Sequence, residues 1–193
     1  MALLLLGSFL SFAIILRILV QYYYTGDHGV RLAKRSAPFI EIIPGTTFVL
    51  SFVISAVLIV LNHVGVFLVG NNNYPPLVIM AIGVLGFTGI AITVIAQMQM
   101  GRSWRIGVDQ DEATELMVNG LYTKSRNPIY FGILLYWLAL VLVFTHPAMW
   151  ACAAVCWVSI ELIVRKIEEP YLMRVHGAAF DEYCRNSNRY LVW

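Results

Sequence analysis

Charged residues are what this sequence has little of. Only 12% of its 193 residues are Asp, Glu, Lys or Arg, whereas 60% are hydrophobic. A soluble globular domain carries about 25% charged residues, so the composition excludes a chain made of such domains. No polar stretch is long enough to form a separate soluble domain. We therefore expect an integral membrane protein.

Cysteine is also scarce, and nothing in its placement predicts disulfides or a metal site. Cys152 and Cys156 lie four residues apart on one helix face, and Cys184 is isolated. No histidine accompanies them at metal-ligand spacing, so small apolar packing is the better interpretation. The acidic run at residues 109–112 lacks a calcium-ligand pattern and is interpreted as a solvated loop. We expect no metal.

Long uncharged stretches are abundant instead. A helix needs about 20 apolar residues to cross the hydrocarbon core of a bilayer, and five stretches approach or exceed that length. They cover residues 2–24, 39–61, 76–100, 129–144 and 149–164. The connector between the last two is short enough only for a tight turn, so these helices form an antiparallel hairpin. The predicted fold is all-α, a multi-pass membrane protein with five transmembrane helices.

Basic residues fall on one side of this five-helix arrangement. Segment 25–38 holds three Lys or Arg, segment 101–128 four and segment 165–193 five, which accounts for twelve of the thirteen. The positive-inside rule then predicts an N-terminus outside, with the long loop and the C-terminal tail in the cytoplasm. Arg17 and Glu161 are the charges inside spans. Arg17 is interpreted as reaching the membrane boundary or pairing with Glu161, and the role of Glu161 is left open.

The first half of the chain has the features of a scaffold. Gly83, Gly86 and Gly89 recur every three residues in the third span, a spacing that suits close helix packing in lipid. We therefore divide the chain into a three-helix transmembrane scaffold, residues 1–100, and a core that carries the polar chemistry, residues 101–193.

Polar and aromatic residues collect at positions 120–130, GLYTKSRNPIY, just before the fourth span. Asn127 suits a helix N-cap and Pro128 the first helical position. Tyr122 and Tyr130 suit the aromatic belt at a membrane interface. The stretch is therefore expected to begin the fourth helix at the membrane boundary.

The hairpin brings a second polar block to the same level. Arg126, at the start of the fourth helix, should lie near Arg165, Glu168 and Glu169, which come after the end of the fifth span. A helix N-terminus, guanidinium groups and carboxylates then converge on one small volume. This convergence is the candidate functional site.

The tail that follows Pro170 is predicted to form an interfacial helix. Leu172, Val175, Ala179 and Tyr183 recur at helical spacing among charged residues. Such a pattern indicates an amphipathic helix lying at the membrane surface, where it covers the site or anchors the chain.

The two blocks together resemble the isoprenylcysteine carboxyl methyltransferases and their bacterial relatives. The resemblance is carried by Gly120, Tyr122, Arg126, Asn127, Pro128 and Tyr130, and then by Glu168, Glu169, Gly177 and Tyr183. It implies an integral-membrane methyltransferase that uses S-adenosylmethionine and a lipophilic substrate. The cofactor contacts that it implies are Glu115, Leu116, Met117, Tyr122, Asn127, Pro128, Tyr130 and Glu168. The candidate catalytic residues are Arg126, Arg165, which lies near the family's substrate-facing arginine, and Glu169.

One position departs from the family pattern. Asn127 stands where the eukaryotic enzymes carry histidine, and an amide forms hydrogen bonds without titrating near neutral pH. Methyl transfer to a carboxylate needs no base, because that nucleophile is already ionised. An amine acceptor must first lose a proton, for which Glu168 or Glu169 is the candidate base.

The leading hypothesis is carboxyl O-methylation of an isoprenylcysteine-like or other lipid-linked acid. A phospholipid or small-amine N-methyltransferase is the main alternative. A relative of the membrane sterol reductases, which use a nicotinamide cofactor, and a non-enzymatic membrane protein or transporter are further ones. The bilayer is an expected partner and nucleic acid is not, while the physiological acceptor and the oligomeric state stay open.

Overall fold

The computed structural model describes residues 1–29, 39–66, 74–105 and 115–190, without the side chains of residues 40 and 41. Two features of the sequence analysis lie outside this part of the chain. They are the basic residues Arg31, Lys34 and Arg35 of the first loop, and the acidic run Asp109, Asp111 and Glu112.

The described residues form six helices. They are α1 (Ala2–Thr25), α2 (Phe39–His63), α3 (Pro76–Gln99), α4 (Pro128–Val143), α5 (Pro147–His176) and α6 (Ala178–Asn186). Two short 3₁₀ turns, Gly101–Ser103 and Gly120–Thr123, lie in the loop between α3 and α4. The helices α1, α2, α3 and α5 are long and apolar enough to cross a membrane, and α4 is a shorter apolar helix. The predicted all-α multi-pass fold is confirmed.

Helices α3 and α4 pack closely, through glycine. A Cβ atom placed on Gly89 would lie 2.6 Å from the carbonyl oxygen of Gly132 and 2.6 Å from the amide nitrogen of Tyr136. The backbones of the two helices are therefore in contact. Gly86 and Gly83 pack against side chains instead, and a Cβ on them would lie 2.7 Å from Leu5 and 3.0 Å from Met1. The predicted close packing at all three glycines of α3 is confirmed.

Aromatic side chains fill the core between α1, α2 and α4. Phe9 stacks on Tyr136 with ring centroids 4.4 Å apart, and Phe52 meets the edge of Trp137 at 5.2 Å. Helix α5 packs mainly on α2 and adds buried residues such as Cys156 to the same core. The interpretation of this cysteine as apolar packing agrees with its position.

Helix α5 is longer than the predicted fifth span. It continues through Pro170 to His176 instead of ending near residue 164. Proline in a helix lacks a donor and clashes with the carbonyl four residues earlier. The turn Val164–Glu168 is wound as a π-helix, and this wider spacing accommodates the proline. The chain turns instead at Gly177, whose φ of 51° and ψ of −121° suit glycine.

The turn at Gly177 also changes the predicted interfacial helix. The tail consists of the end of α5 and the separate helix α6, so one helical spacing does not run through it. The buried residues are Tyr171 and Phe180. The four residues expected on the apolar face are half-buried or exposed: Leu172, Val175, Ala179 and Tyr183.

Arg17 does not pair with Glu161 in the described part of the chain, and its side chain contacts the loop that follows α3. Its side chain is buried, and its Nη2 donates to Gln21 Oε1 at 2.9 Å and to the carbonyl of Gly101 at 2.5 Å. Its guanidinium carbon lies 4.5 Å from the ring centroid of Trp104. The carbonyl of Gly101, just after the end of α3, and an aromatic face thus stabilise this charge. The predicted pairing with Glu161 is wrong, and the predicted approach to the membrane boundary stays a prediction.

Gly89→Ala is expected to destabilise the fold, because its methyl group would overlap the backbone of α4. Overpacking of this kind costs about 1–3 kcal/mol in the free energy of unfolding. The matched control is Gly7→Ala, since a Cβ there would meet nothing within 4 Å. Unfolding of both variants in detergent measures the difference. Equal stabilities would contradict the backbone contact.

Candidate functional site

The start of α4 and the end of α5 meet at the side of the protein that carries the long loop and the tail. Arg126 Nε lies 3.6 Å from Glu169 Oε1, and the hydroxyl of Tyr130 donates to Glu168 Oε1 at 2.6 Å. The two polar blocks of the sequence therefore come together in space. Their contacts divide into a tyrosine–glutamate pair and an arginine–glutamate cluster.

Glu168 is a half-buried carboxylate beside two phenols. Among the described residues, its hydrogen-bond partner is Tyr130. Tyr122 is buried close by, and its hydroxyl donates to the carbonyl of Ala96 at 3.4 Å. Burial, and then the nearby Glu168 carboxylate, raise the pKa of Tyr122, so this phenol stays protonated. The group offers one carboxyl group and two hydroxyl groups to a ligand.

The end of α3 holds the turn that carries Tyr122. Gln99 Oε1 accepts a hydrogen bond from the backbone nitrogen of Leu121 at 2.8 Å. Gly120 has a φ of +63°, and a Cβ on it would lie 2.5 Å from the amide group of Gln99. A residue other than glycine at position 120 would therefore be strained and would displace this contact. The first glycine of the motif has a clear structural reason.

Glu169 binds two arginines. Arg189 Nε and Nη2 donate to its two carboxylate oxygens at 2.9 and 2.8 Å, which is a bidentate pair. Arg126 approaches the same carboxylate and also donates from Nη1 to the carbonyls of Cys184 and Ser187. Two predicted catalytic residues, Arg126 and Glu169, are therefore bound to the C-terminal segment.

Asn127 lies at the N-cap position of α4, as predicted, but its side chain does not cap the helix. Its Nδ2 donates to the carbonyl of Arg189 at 3.1 Å instead. Pro128 is the first helical residue and is buried, in agreement with the sequence analysis. The capping role assigned to the Asn127 side chain is wrong, because a backbone carbonyl of the tail takes up its amide.

Arg165 lies apart from the Arg126–Glu169 cluster. Its side chain is 52% exposed, and its Nε donates to Glu161 Oε2 at 2.5 Å. Tyr190 donates to the other oxygen of Glu161 at 2.7 Å. The question left open about Glu161 thus has a structural answer, since this acid links Arg165 to the tail.

The loop residues Glu115, Leu116 and Met117 make no hydrogen bond or ion pair to the other site residues in the described part of the chain. Glu115 is exposed, and the other two are half-buried in an irregular segment. This segment leads to an open groove of about 340 Å³ beside α6. The groove is lined by Val118, Thr123, Ala179, Glu182, Tyr183 and Asn186.

Tyr183 connects this groove to the turn that carries Tyr122. Its hydroxyl donates to the carbonyl of Tyr122 at 2.6 Å and to that of Ser125 at 3.3 Å. Burial raises the pKa of Tyr183 to about 12, so it remains a donor at neutral pH. Helix α6 is therefore attached to the turn that holds Tyr122.

The sequence analysis missed Ser125, Arg189 and Tyr190. Ser125 is fully buried, and it accepts from the backbone nitrogen of Asn127 and donates to the carbonyl of Arg189. The one signal in the sequence was that Arg189 is one of the five basic residues of segment 165–193. No spacing rule connected Arg189 with Glu169, twenty residues earlier.

Residues 77–179 match the family model for phospholipid methyltransferases, and this stretch is more than half of the chain. The chain belongs to the phospholipid methyltransferase family. The match extends from α3 through the hairpin to the first residues of α6. No curated protein and no solved structure matches the chain. Membership of the phospholipid methyltransferase family indicates a membrane methyltransferase, which disfavours the reductase and transporter alternatives.

Methyltransferases of this family generally use S-adenosylmethionine, and the described residues fit such a ligand. A sulfonium or ammonium group is stabilised by a nearby carboxylate, and Glu168 has no arginine partner in the described part of the chain. The phenols of Tyr122 and Tyr130 flank this carboxylate. The open groove beside Tyr183 is lined by none of these three residues, and it reaches the turn of Tyr122 through Thr123.

Tyr183→Phe is expected to loosen α6 from the Tyr122 turn. The variant loses the hydroxyl proton that is donated to the carbonyl of Tyr122 and shared with that of Ser125, at a cost of about 1 kcal/mol. Amide hydrogen exchange in residues 178–186 should therefore rise. Tyr23→Phe is the control, because that ring is 83% exposed. Unchanged exchange in α6 would contradict the attachment.

Proposed function

We propose that this protein transfers a methyl group from S-adenosylmethionine to the polar end of a lipid acceptor embedded in the bilayer. The observation that carries the proposal is the Tyr130–Glu168 pair at the loop side of the hairpin, within the stretch that matches phospholipid methyltransferases. A lipid tail lies among helices while its head group reaches the level of this pair. Enzymes that act on such acceptors need the site at that depth.

Glu168, Tyr122 and Tyr130 are the proposed centre of the cofactor site. When bound, S-adenosylmethionine supplies an activated methyl group on a sulfonium cation. Glu168 would attract the positive groups of this ligand, and the two phenols would orient it by hydrogen bonds. Asn127 and Pro128 would form the wall at the start of α4.

The remaining predicted contacts come from the loop. Glu115, Leu116 and Met117 precede the groove beside α6, and we assign them to the cover over the cofactor. Glu115 is exposed and Met117 is half-buried, so both are accessible to a ligand in that groove.

The protein's contribution to the rate would be mainly positioning. Holding two reacting atoms at attack distance contributes up to about 7–11 kcal/mol in favourable cases. Glu168, the tyrosines and the start of α4 would hold the cofactor, and Arg165 would hold the acceptor.

A carboxylate is the proposed acceptor, since its methylation needs no base. Glu169 is bound to Arg189 and Arg126, and Glu161 to Arg165, so these acids are poor proton acceptors. Arg165 is the most exposed of the three arginines, and we assign it the orientation of the acceptor carboxylate. A lipid-linked acid such as an isoprenylcysteine fits this chemistry.

The family match favours a second candidate, an amine in a phospholipid head group. This reaction requires a proton acceptor. Glu168 is the candidate, because its described partner is a phenol and not an arginine. Glu168 therefore has a different role in each case. It binds the cofactor when the acceptor is a carboxylate, and it also accepts a proton when the acceptor is an amine.

Glu168→Gln is expected to weaken binding of S-adenosylhomocysteine about tenfold, which is about 1.4 kcal/mol. The substitution removes the charge and keeps the shape. Asp181→Asn is the matched control, since that acid is exposed and pairs only with Arg185 among the described residues. Calorimetric titration of the detergent-solubilised protein measures both. Failure of the wild-type protein to bind would overturn the proposed function.

The acceptor is tested by offering a farnesylated cysteine analogue and phosphatidylethanolamine in parallel. A methyl ester is released by base, whereas a methylamine is stable. Arg165→Gln is expected to raise the KM for the carboxylate about tenfold, because it loses a charged hydrogen bond. Lys166→Gln, at the exposed neighbouring position, should leave this KM unchanged. A base-stable product would decide for the amine.

A further inference from the structure

The C-terminal segment 187–190 crosses the hairpin at the site, although it lies beyond the stretch that matches the family. Asn188 forms a short parallel bridge beside Ser125. Its nitrogen donates to the carbonyl of Lys124 at 3.1 Å, and its carbonyl accepts from the nitrogen of Arg126 at 2.8 Å. The segment is thus held against the residues that lead into α4.

Arg189 binds both polar blocks at once. Its carbonyl accepts from Asn127 Nδ2 at 3.1 Å and from Ser125 Oγ at 3.3 Å. Its guanidinium group makes the bidentate pair with Glu169 at 2.9 and 2.8 Å. One residue therefore connects the start of α4 to the end of α5, at shorter distances than the direct Arg126–Glu169 approach of 3.6 Å.

The surroundings make this ion pair stronger than a surface pair. The side chains of Arg189 and Glu169 are 27% and 19% exposed, whereas those of Arg185 and Asp181 are 68% and 52% exposed. Water screens an exposed ion pair, which then contributes little to the free energy of unfolding. A partly buried, bidentate arginine–carboxylate pair is stronger and has a defined geometry.

The pair is also next to the proposed cofactor contacts. Glu168 precedes Glu169 in α5, and Tyr130 lies three residues after Asn127 in α4. Arg189, which binds both Asn127 and Glu169, therefore contacts the residue next to Glu168 and a residue one helical turn from Tyr130. The hydrogen bond between Tyr130 and Glu168 is 2.6 Å long.

We infer that Arg189 is a positioning residue for methyl transfer, which orients the Asn127 amide and the Glu169 carboxylate and so holds the Tyr130–Glu168 pair ready for the cofactor. This inference rests on the proposed function of that pair. Arg189 acts through these neighbours and does not itself contact a reacting atom. Arg189 is in the tail, beyond residues 77–179, so this part of the site lies outside the family match.

The test uses the full-length protein in detergent, with S-adenosylhomocysteine as the probe. Arg189→Gln should weaken its binding about tenfold, since the bidentate pair is lost. Arg189→Lys keeps the charge and should bind more tightly than Arg189→Gln. Added ethylguanidinium should restore part of the affinity of Arg189→Ala. Arg185→Gln is the matched control, and its affinity should equal that of the wild type.

Two further measurements separate positioning from a loss of structure. Amide hydrogen exchange without ligand should rise in residues 124–130 of Arg189→Gln, while the thermal unfolding temperature stays close to that of Arg185→Gln. Wild-type affinity in Arg189→Gln would overturn the role of Arg189 and leave the proposed function intact. Weakened binding that ethylguanidinium does not restore, together with a lowered unfolding temperature, would also overturn it. Absence of binding by the wild type would overturn both proposals.

Discussion

The backbone contact between α3 and α4 is the constraint on which the candidate site depends. Gly89 and Gly132 let these helices approach until their main chains touch. Such packing suits a bilayer, where van der Waals contact, and not the hydrophobic effect, drives helix association. The end of α3 holds the turn of Tyr122 through Gln99, and α4 carries Tyr130. The glycine contact between α3 and α4 therefore sets the distance between the phenols of Tyr122 and Tyr130 at the loop end of these helices.

Charge pairing builds the rest of the site. Of the three acids in the second half of α5, Glu169 binds Arg189 and Arg126, and Glu161 binds Arg165. Glu168 differs, because its partner in the described part of the chain is a phenol. A carboxylate without a cation beside it is the one suited to receive a positive ligand. The same pairing that ties down the tail thus distinguishes one acid from its neighbours.

The site combines residues that the sequence pattern identified with residues of the tail that it did not. The family match includes Tyr122, Tyr130 and Glu168, whose residue types and order already suggested a methyltransferase in the sequence. Arg189 lies beyond it, in a segment whose backbone hydrogen bonds with residues 124 and 126 replace those of a regular element. The tail contributes to the site through main-chain geometry, which composition does not reveal.

The sequence by itself determined the apolar helices, the hairpin and the start of α4 at Pro128, because a bilayer imposes helix length locally and proline suits a first turn. It misplaced the end of α5, since the π-wound turn that accommodates Pro170 is not encoded in hydropathy. It also predicted that the residues before α4 lie near Glu168 and Glu169, and the structure shows this proximity. Only the tertiary structure decided the partners: Arg189 takes Glu169, and Asn127 binds a tail carbonyl and caps nothing. Several cations and anions lie close together at the site, and hydrogen-bond distance, which only the folded chain sets, selects among them.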